Sequence, residues 1–190
     1  GAFLVFYGGP DGITTDTPDY ICEKNSPQSN FGTNVSGAGD INGDGYSDII
    51  IGSPLAENDS LGFEKAGALY AFYGSPDGLN PTDEFSPPPA DFAFYGTEAN
   101  IQLGHIVNNI GDINGDGYSD VAVGSSHSNG DKGKVIIFFG GKNGLSLQNK
   151  WSLGGEQDEE EFAWGIAGGD FNGDGLADLA VGSQNYDDTY

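Results

Sequence analysis

Asp40-Ile41-Asn42-Gly43-Asp44-Gly45-Tyr46-Ser47-Asp48, followed at once by Ile49-Ile50-Ile51-Gly52-Ser53, is the stretch on which the reading of this chain turns. Its nine-residue part recurs as Asp112-Ile-Asn-Gly-Asp-Gly-Tyr-Ser-Asp120 and as Asp170-Phe-Asn-Gly-Asp-Gly-Leu-Ala-Asp178. Each copy sets oxygen-bearing side chains at its first, third, fifth and ninth positions, with glycine at the fourth and sixth. Three carboxylates held this close repel one another by about 1 to 4 kcal/mol per pair at roughly 4 Å, depending on the local dielectric. A hard divalent cation removes that penalty, and oxygen-only ligands on a flexible loop suit calcium better than zinc or magnesium. The sixth-position glycine permits the sharp turn that aims the seventh carbonyl inward. Calcium at three sites is the expectation.

The same opening, Asp-x-Asn-x-Asp-Gly, also begins an EF-hand, which needs a bidentate Glu at position 12 and a helix on each side. Position 12 is Ile51, Val123 or Val181, and each loop runs into a short apolar segment closed by Gly-Ser: Ile49–Ser53, Val121–Ser125 and Leu179–Ser183. Short, partly β-branched runs bounded by glycine read as buried strands. The loops therefore connect strand to strand, and the EF-hand is excluded.

A second element repeats without gaps. Gly1-Ala-Phe-Leu-Val-Phe-Tyr-Gly-Gly-Pro-Asp-Gly-Ile13 aligns with Gly67–Leu79 and with Gly133–Leu145, a spacing of 66 residues both times. Each copy is an aliphatic and aromatic strand closed by a turn in which glycine can take positive φ. Outer strands are expected at Asp19–Glu23, Asp91–Tyr95 and Lys150–Leu153, and inner strands between Phe31 and Gly39, Leu103 and Gly111, and Phe162 and Gly169. No stretch shows helical periodicity. Four short strands in each repeat of about 60 to 70 residues read as blades of a β-propeller. The unit beginning at Phe31 is lengthened by Ser53–Lys65 and by the connection containing Pro87-Pro88-Pro89, insertions that loops tolerate.

Phe31-Gly32, the loop Asp40–Asp48, Gly52-Ser53-Pro54 and Gly67–Gly74 together resemble the FG-GAP repeat of integrin α-subunit propellers and their many bacterial relatives, and a bacterial-type member is expected. The resemblance covers nearly the whole chain. It implies a calcium loop between the first and second strands of each blade. The ligands it implies are the side chains of Asp40, Asn42, Asp44 and Asp48 with the Tyr46 carbonyl; Asp112, Asn114, Asp116 and Asp120 with Tyr118; and Asp170, Asn172, Asp174 and Asp178 with Leu176. Two departures stand out. The "FG" pair is Leu103-Gly104 in one copy and Phe162-Ala163 in another, and the latter lies one residue nearer its loop, so a shifted inner strand is expected there.

The fold class expected is all-β, with about three blades' worth of four-stranded antiparallel sheet. It divides into an outer half-blade (1–25), two blades (26–96 and 97–154) and an inner half-blade (155–190). Closed propellers have about four to eight blades, so the segment is expected to be part of a longer chain. Otherwise further copies complete the ring, as a closed dimer or a non-closing filament.

Six Lys and 29 acidic residues give a net charge of −23, and only nine of those acids lie in the loops, so calcium does not account for the acidity. Nucleic acid and anionic membranes are poor partners for such a surface. The run Asp158–Glu161 reads as a solvated loop. Cys22 is the single cysteine, with no internal disulfide available to it, and is expected to pack inside. Weak loop-type calcium sites suit millimolar calcium outside the cell, which places the chain extracellularly or at the cell surface. No apolar run is long enough to insert in a membrane.

Chemistry is hard to find. His105 and His127 lack a nucleophile motif beside them, and most carboxylates are committed to the loops. The recurring Phe6-Tyr7, Phe72-Tyr73 and Phe138-Phe139 read as blade packing, and Trp151 and Trp164 as core. The leading expectation is a non-enzymatic, calcium-stabilised module of an extracellular adhesion, recognition or surface-assembly protein, meeting a protein or glycan ligand. The alternatives are the propeller of a secreted calcium-dependent enzyme, of polysaccharide lyase or phospholipase type, and a lectin-like glycan binder.

Overall fold

The two central strands of each blade are apolar through their middles because both of their faces are covered. A computed structural model describes residues 1–24, 26, 28–79 and 90–187. In it β1 (Ala2–Val5) pairs with β2 (Tyr20–Glu23), and β3 (Asn34–Gly39), β4 (Asp48–Ser53), β5 (Ala68–Phe72) and β6 (Phe92–Tyr95) form one sheet. A second sheet contains β7 (Ile106–Gly111), β8 (Asp120–Ser125), β9 (Lys134–Phe138) and β10 (Lys150–Gly154), and β11 (Phe162–Gly169) pairs with β12 (Asp178–Ser183). All neighbours are antiparallel and follow chain order. Two blades of four strands, flanked by two strand pairs, are what the repeats implied. The Pro87–Pro89 connection lies outside the described residues. A helical turn, α1 (Ser128–Asp131), is the one feature without a periodic signal in the sequence.

Alternation on the central strands builds the stack. Ile51, Ala68, Tyr70 and Phe72 pack back onto Phe3, Tyr20 and Cys22. Ile50, Leu69 and Ala71 face forward onto Val121, Val123, Ile136 and Phe138. Ala122, Val135 and Ile137 then meet Ala163 and Ile166. Successive residues of β4, β5, β8 and β9 therefore serve neighbouring sheets, at about 1.5 to 3 kcal/mol for each large aliphatic side chain fully buried. Cys22 is buried, as expected.

Neighbouring blades also touch through backbone. Within each blade the Gly32 and Gly104 amides donate to the Gly52 and Gly124 carbonyls, and across the junction to the next blade a Cβ on Gly52 would lie 2.0 Å from the Gly104 oxygen. Thus the glycines of "FG" and "GAP" meet where chains approach too closely for a side chain. The serine after the second of these caps the same turn each time: Ser53, Ser125 and Ser183 hydroxyls donate to the carbonyls of Ser29, Ile101 and Glu160.

The one-residue deficit at Phe162 has a specific site. In β3 and β7 a bulge falls just before the loop, between Gly37 and Gly39 and between Asn109 and Gly111. β11 runs without one into Gly169, and its irregularity sits instead between Phe162 and Gly165. The missing residue is the bulge residue held by Ala38 and Ile110.

Three expectations need correction. Trp151 and Trp164 are not core: they are 52% and 44% exposed, Trp151 on the outermost strand and Trp164 against His105 with centroids 4.9 Å apart. Phe6 and Tyr7 are exposed, while Phe72 and Phe138, the counterparts of Phe6, are buried and Tyr73 and Phe139, those of Tyr7, are half-buried. The run Asp158–Glu161 is not uniformly solvated. Asp158 is exposed and pairs with Lys132, but Glu160 is buried and accepts from the Glu156 and Gln157 amides and the Ser183 hydroxyl. Burial opposes its ionisation, yet the Gln157 amide, the Ser183 hydroxyl and the Glu156 amide hold its carboxyl below the usual range.

Candidate metal centres

Each nine-residue loop joins the first strand of its blade to the second: β3 to β4, β7 to β8, β11 to β12. The turn is made by side chain-to-backbone bonds that the sequence supplies locally. In the first loop one Asp40 oxygen accepts from the Gly43 and Asp44 amides at 2.7 and 3.1 Å, and the other accepts from Gly45 at 2.9 Å. Asn42 Oδ1 accepts from the Asp44 amide, and Asp44 Oδ1 from the Tyr46 amide. The same bonds recur from Asp112, Asn114 and Asp116, and from Asp170, Asn172 and Asp174. Aspartate and asparagine favour such turns because their side chains reach amides two or more residues on. The sixth-position glycines have φ of 91°, 89° and 91°, the left-handed region that glycine enters without penalty.

The ninth aspartate returns to the loop: Asp48, Asp120 and Asp178 each accept the amide of the second residue, Ile41, Ile113 and Phe171. Asp48 and Asp120 also accept from the Gly74 and Gly140 amides at 2.8 Å, beyond the ends of β5 and β9. In the sequence Gly74 belongs to the repeat motif and Gly140 recurs at the same place after an aromatic pair, but neither carries a sign of the aspartate it meets. Asp48 and Asp120 are fully buried. Burial pushes the Asp48 carboxyl up to about 6, against the Gly74 and Ile41 amides and with the Asp44 and Asp40 charges adding. Burial likewise raises Asp120, against the Gly140 and Ile113 amides. The amide of Gly175, then those of Gly173, Asp174 and Asn172, hold Asp170 below its ordinary value.

Adjacent loops are joined. The Ser119 amide donates to the Asp40 carbonyl and the Ala177 amide to the Asp112 carbonyl. Tyr118 lies over Gly43, and Leu176 over Gly115. The seventh residue therefore covers the preceding loop with its side chain.

The donor set fits a hard cation in composition: three carboxylates and one amide oxygen per loop, with no nitrogen or sulfur ligand. Among the described residues no three His, Cys, Asp or Glu side chains converge as a ready cage in this conformation. In each loop the asparagine Nδ2 donates to the fifth-position carboxylate instead, at 2.9 to 3.0 Å. Holding a cation would replace that donor with the amide oxygen and draw the same carboxylates together.

No catalytic constellation accompanies the loops among the described residues. Ser126 Oγ lies 3.0 Å from His127 Nδ1, but Ser126 is fully buried. His105 is packed beside Trp164 with Nδ1 unpartnered, and burial lowers its pKa, with nearby His127 adding.

Comparison with known proteins bears on all three loops. The FG-GAP repeat model matches residues 31–72, and the FG-GAP-like repeat model matches 112–181. Together they cover more than half of the chain. It belongs to the FG-GAP repeat family. FG-GAP relatives include integrin alpha-6 of Gallus gallus, 34% identical over 170 residues, and integrin alpha-PS3 of Drosophila melanogaster, 33% identical over 168 residues. The matches cover 87% and 84% of this chain and 14% of each integrin. Phosphatidylinositol-glycan-specific phospholipase D of Bos taurus is 30% identical over 162 residues, 83% of this chain and 19% of that protein. The FG-GAP segment thus spans a small part of each of these relatives.

Proposed function

We propose that these FG-GAP blades are a calcium-stabilised, non-enzymatic scaffold working outside the cell or on its surface, in adhesion, recognition or surface assembly. One observation carries the metal part. Three loops gather nine carboxylates into the same turn, yet among the described residues no lysine pairs with any of them; the recorded ion pair is Lys132–Asp158, elsewhere. Crowded, partly buried carboxylates without a protein cation call for one from solvent. Asp40, Asn42, Asp44 and Asp48, with the Tyr46 carbonyl, would hold the first ion, and the matching residues the other two. Bound calcium would supply the positive charge that lets these oxygens pack. The chain's own contribution is the prior order: amide bonds fix the first, third and fifth residues, and Gly74 and Gly140 fix the ninth.

The similarity to integrin α-subunits supports a role outside the cell, where calcium is abundant enough for loops of this kind. The similarity to phospholipase D keeps a second reading open, a scaffold attached to an enzyme whose chemistry resides elsewhere. The blades would belong to a larger ring, completed by the rest of a longer chain or by further copies, since closed rings have about four to eight. Stripping calcium tests the central claim. At 100 times the Kd each site contributes about 2.7 kcal/mol. Three sites then raise Tm by roughly 15 °C or more, at about 2 to 4 °C per kcal/mol. Calorimetry of EDTA-treated, dialysed protein with and without 2 mM calcium should show that difference, and identical melting curves would discard the calcium reading.

A further inference from the structure

The stack contains two equivalent junctions at the ends of the sheets away from the loops, and they differ sharply. The Lys24 amide donates to the Gly1 carbonyl, as the Gly96 amide does to Gly67 and the Gly155 amide to Gly133. Lys24, Gly96 and Gly155 are therefore the same position in successive blades. A Cβ at Gly96 or Gly155 would lie 2.1 or 2.2 Å from a carbonyl oxygen, so a side chain is excluded there. By strand register Tyr70 corresponds to Ile136 and Tyr95 to Gly154. Between the first strand pair and the first whole blade, Lys24, Tyr70 and Tyr95 line a cavity of about 310 Å³, with Glu57, Asn58 and Asp59 also in its lining. Between the two whole blades the matching space, bordered by Gly96, Ile136 and Lys134, is about 20 Å³. The second is room for a water; the first is within the range of small-ligand sites.

The larger cavity is also organised. The Lys24 ammonium donates to the Tyr70 and Tyr95 hydroxyls, sits 3.8 Å from the Tyr70 ring centroid, and Tyr70 donates to Tyr95 at 3.1 Å. Among the described residues no carboxylate comes within ion-pair distance of Lys24. An ammonium has three donors, and two are used within the protein. In the same lining, buried Asn58 donates to the Gly96 carbonyl and holds the connection after β4 in place, with its chain neighbours Glu57 and Asp59 exposed.

We propose that this cavity binds a small zwitterion of amino-acid type, its carboxylate on Lys24 and the Tyr95 hydroxyl and its ammonium toward Glu57 and Asp59. The charge distribution selects this class. A doubly charged anion would be repelled by the two rim carboxylates and by a chain of net charge −23. A neutral sugar gives Lys24 no counter-charge, and a simple cation has no use for it. One positive group and two negative groups lining a single preformed space suit a ligand with both signs. The site needs none of the calcium loops, so it stands or falls separately from the metal reading.

The test is a titration of the folded protein, by calorimetry, with each of the twenty common amino acids at up to 5 mM, alongside acetate, methylammonium and glucuronate. At least one amino acid should bind with Kd below 1 mM, more than tenfold tighter than acetate or methylammonium. Lys24→Met, which keeps an unbranched side chain and removes the ammonium, should weaken it at least tenfold. The exposed pair Glu57→Gln and Asp59→Asn should weaken it several-fold without weakening acetate. The proposal is overturned if no amino acid binds, if glucuronate alone binds, or if the charge-removing variants bind as well as the parent. Should Lys24→Met fail to fold, the double rim variant decides between these outcomes.

Discussion

The loop at Asp40–Asp48 and the loop at Asp170–Asp178 are built from the same bonds through their first seven residues and part company at the ninth. Asp48 is sealed by the Gly74 amide from beyond β5 and is fully buried. Asp178 is half-buried, and Asn172 Nδ2 approaches its second oxygen only at 3.4 Å. Tyr118 covers Gly43, whereas among the described residues nothing lies within 4 Å of a Cβ on Gly173. The turn is therefore local chemistry, and the seal over it is tertiary. A blade with its third strand in place should be sensitive to changes that the β11–β12 pair tolerates.

The largest difference is expected at the glycine closing the second strand. A Cβ on Gly52 would sit 2.0 Å from the Gly104 backbone oxygen, while on Gly182 its nearest neighbour would be 3.5 Å away. Backbone cannot move aside as a side-chain end can, so Gly52→Ala should cost about 3 kcal/mol or more. Gly182→Ala should cost less than about 1 kcal/mol. Urea melts of the two variants compare them directly, and similar midpoints would mean that the blades slide apart at little cost.

Next comes the ninth aspartate. Asp48→Ala strands the Ile41 and Gly74 amides, each a loss of about 1 to 3 kcal/mol when buried, partly offset by no longer burying a charge. The net expectation is about 2 to 3 kcal/mol for Asp48→Ala and about 1 kcal/mol for Asp178→Ala, which strands the Phe171 amide. Measured in EDTA, the comparison is free of metal. Equal losses would show that the seal from Gly74 adds nothing.

What the sequence disclosed follows the same division. The loops, the strand pairs and their order were legible because Asp-x-Asn-Gly-Asp-Gly encodes a turn by itself, and Ile49–Ile51 or Val121–Val123 can only be buried strands. The seals at Gly74 and Gly140 were visible as a recurring glycine, but nothing in one strand tells which aspartate it will meet. Glu160 is hidden in the sequence because a run of acids suggests solvent, and only the fold brings its carboxylate to the Glu156 and Gln157 amides and the Ser183 hydroxyl. Trp151 and Trp164 were misread because large aromatic residues suggest core, whereas the outer and inner strands each leave a face open. Lys24, Tyr70 and Tyr95 carry no repeat signal, because the matching positions of the next blade are Gly96, Ile136 and Gly154.

A smaller effect concerns the hydroxyl that ties one blade to the next. The Leu79 amide donates to the Tyr7 hydroxyl and the Leu145 amide to the Tyr73 hydroxyl, at 3.0 and 2.7 Å, whereas the next position is Phe139 and has no hydroxyl to offer. Tyr73→Phe should cost about 1 kcal/mol. Burial pushes the Tyr73 pKa up to about 12, with the Leu145 amide opposing and Asp48 and Asp91 adding. A phenol whose folded pKa is raised stabilises fully below its unfolded value near 10, and that contribution disappears as pH climbs toward 12. Tyr73→Phe should therefore flatten part of the alkaline loss of stability between about pH 10 and 12. An unchanged slope in melts across that window would separate the hydroxyl from the blade contact.

The smallest effect is expected where the third copy departs from its own motif. Gly32 and Gly104 have φ of 85° and 86°, and Ala163 holds the equivalent place at 73° with a fully buried methyl. Left-handed backbone costs a residue with a Cβ about 1 to 2 kcal/mol. Ala163→Gly would relieve that, but it would lose a buried methyl worth about 0.8 kcal/mol and loosen the unfolded chain by about 0.4 to 1 kcal/mol. The terms nearly cancel, so Tm should move by no more than about 2 °C in either direction. The reverse change, Gly32→Ala, has no such compensation, because its Cβ would lie 2.4 Å from the Ala2 oxygen, and should be strongly destabilising. If Ala163→Gly proved as damaging as Gly32→Ala, the methyl would be what holds the bulge-free β11 in register, and the strain would be the lesser term.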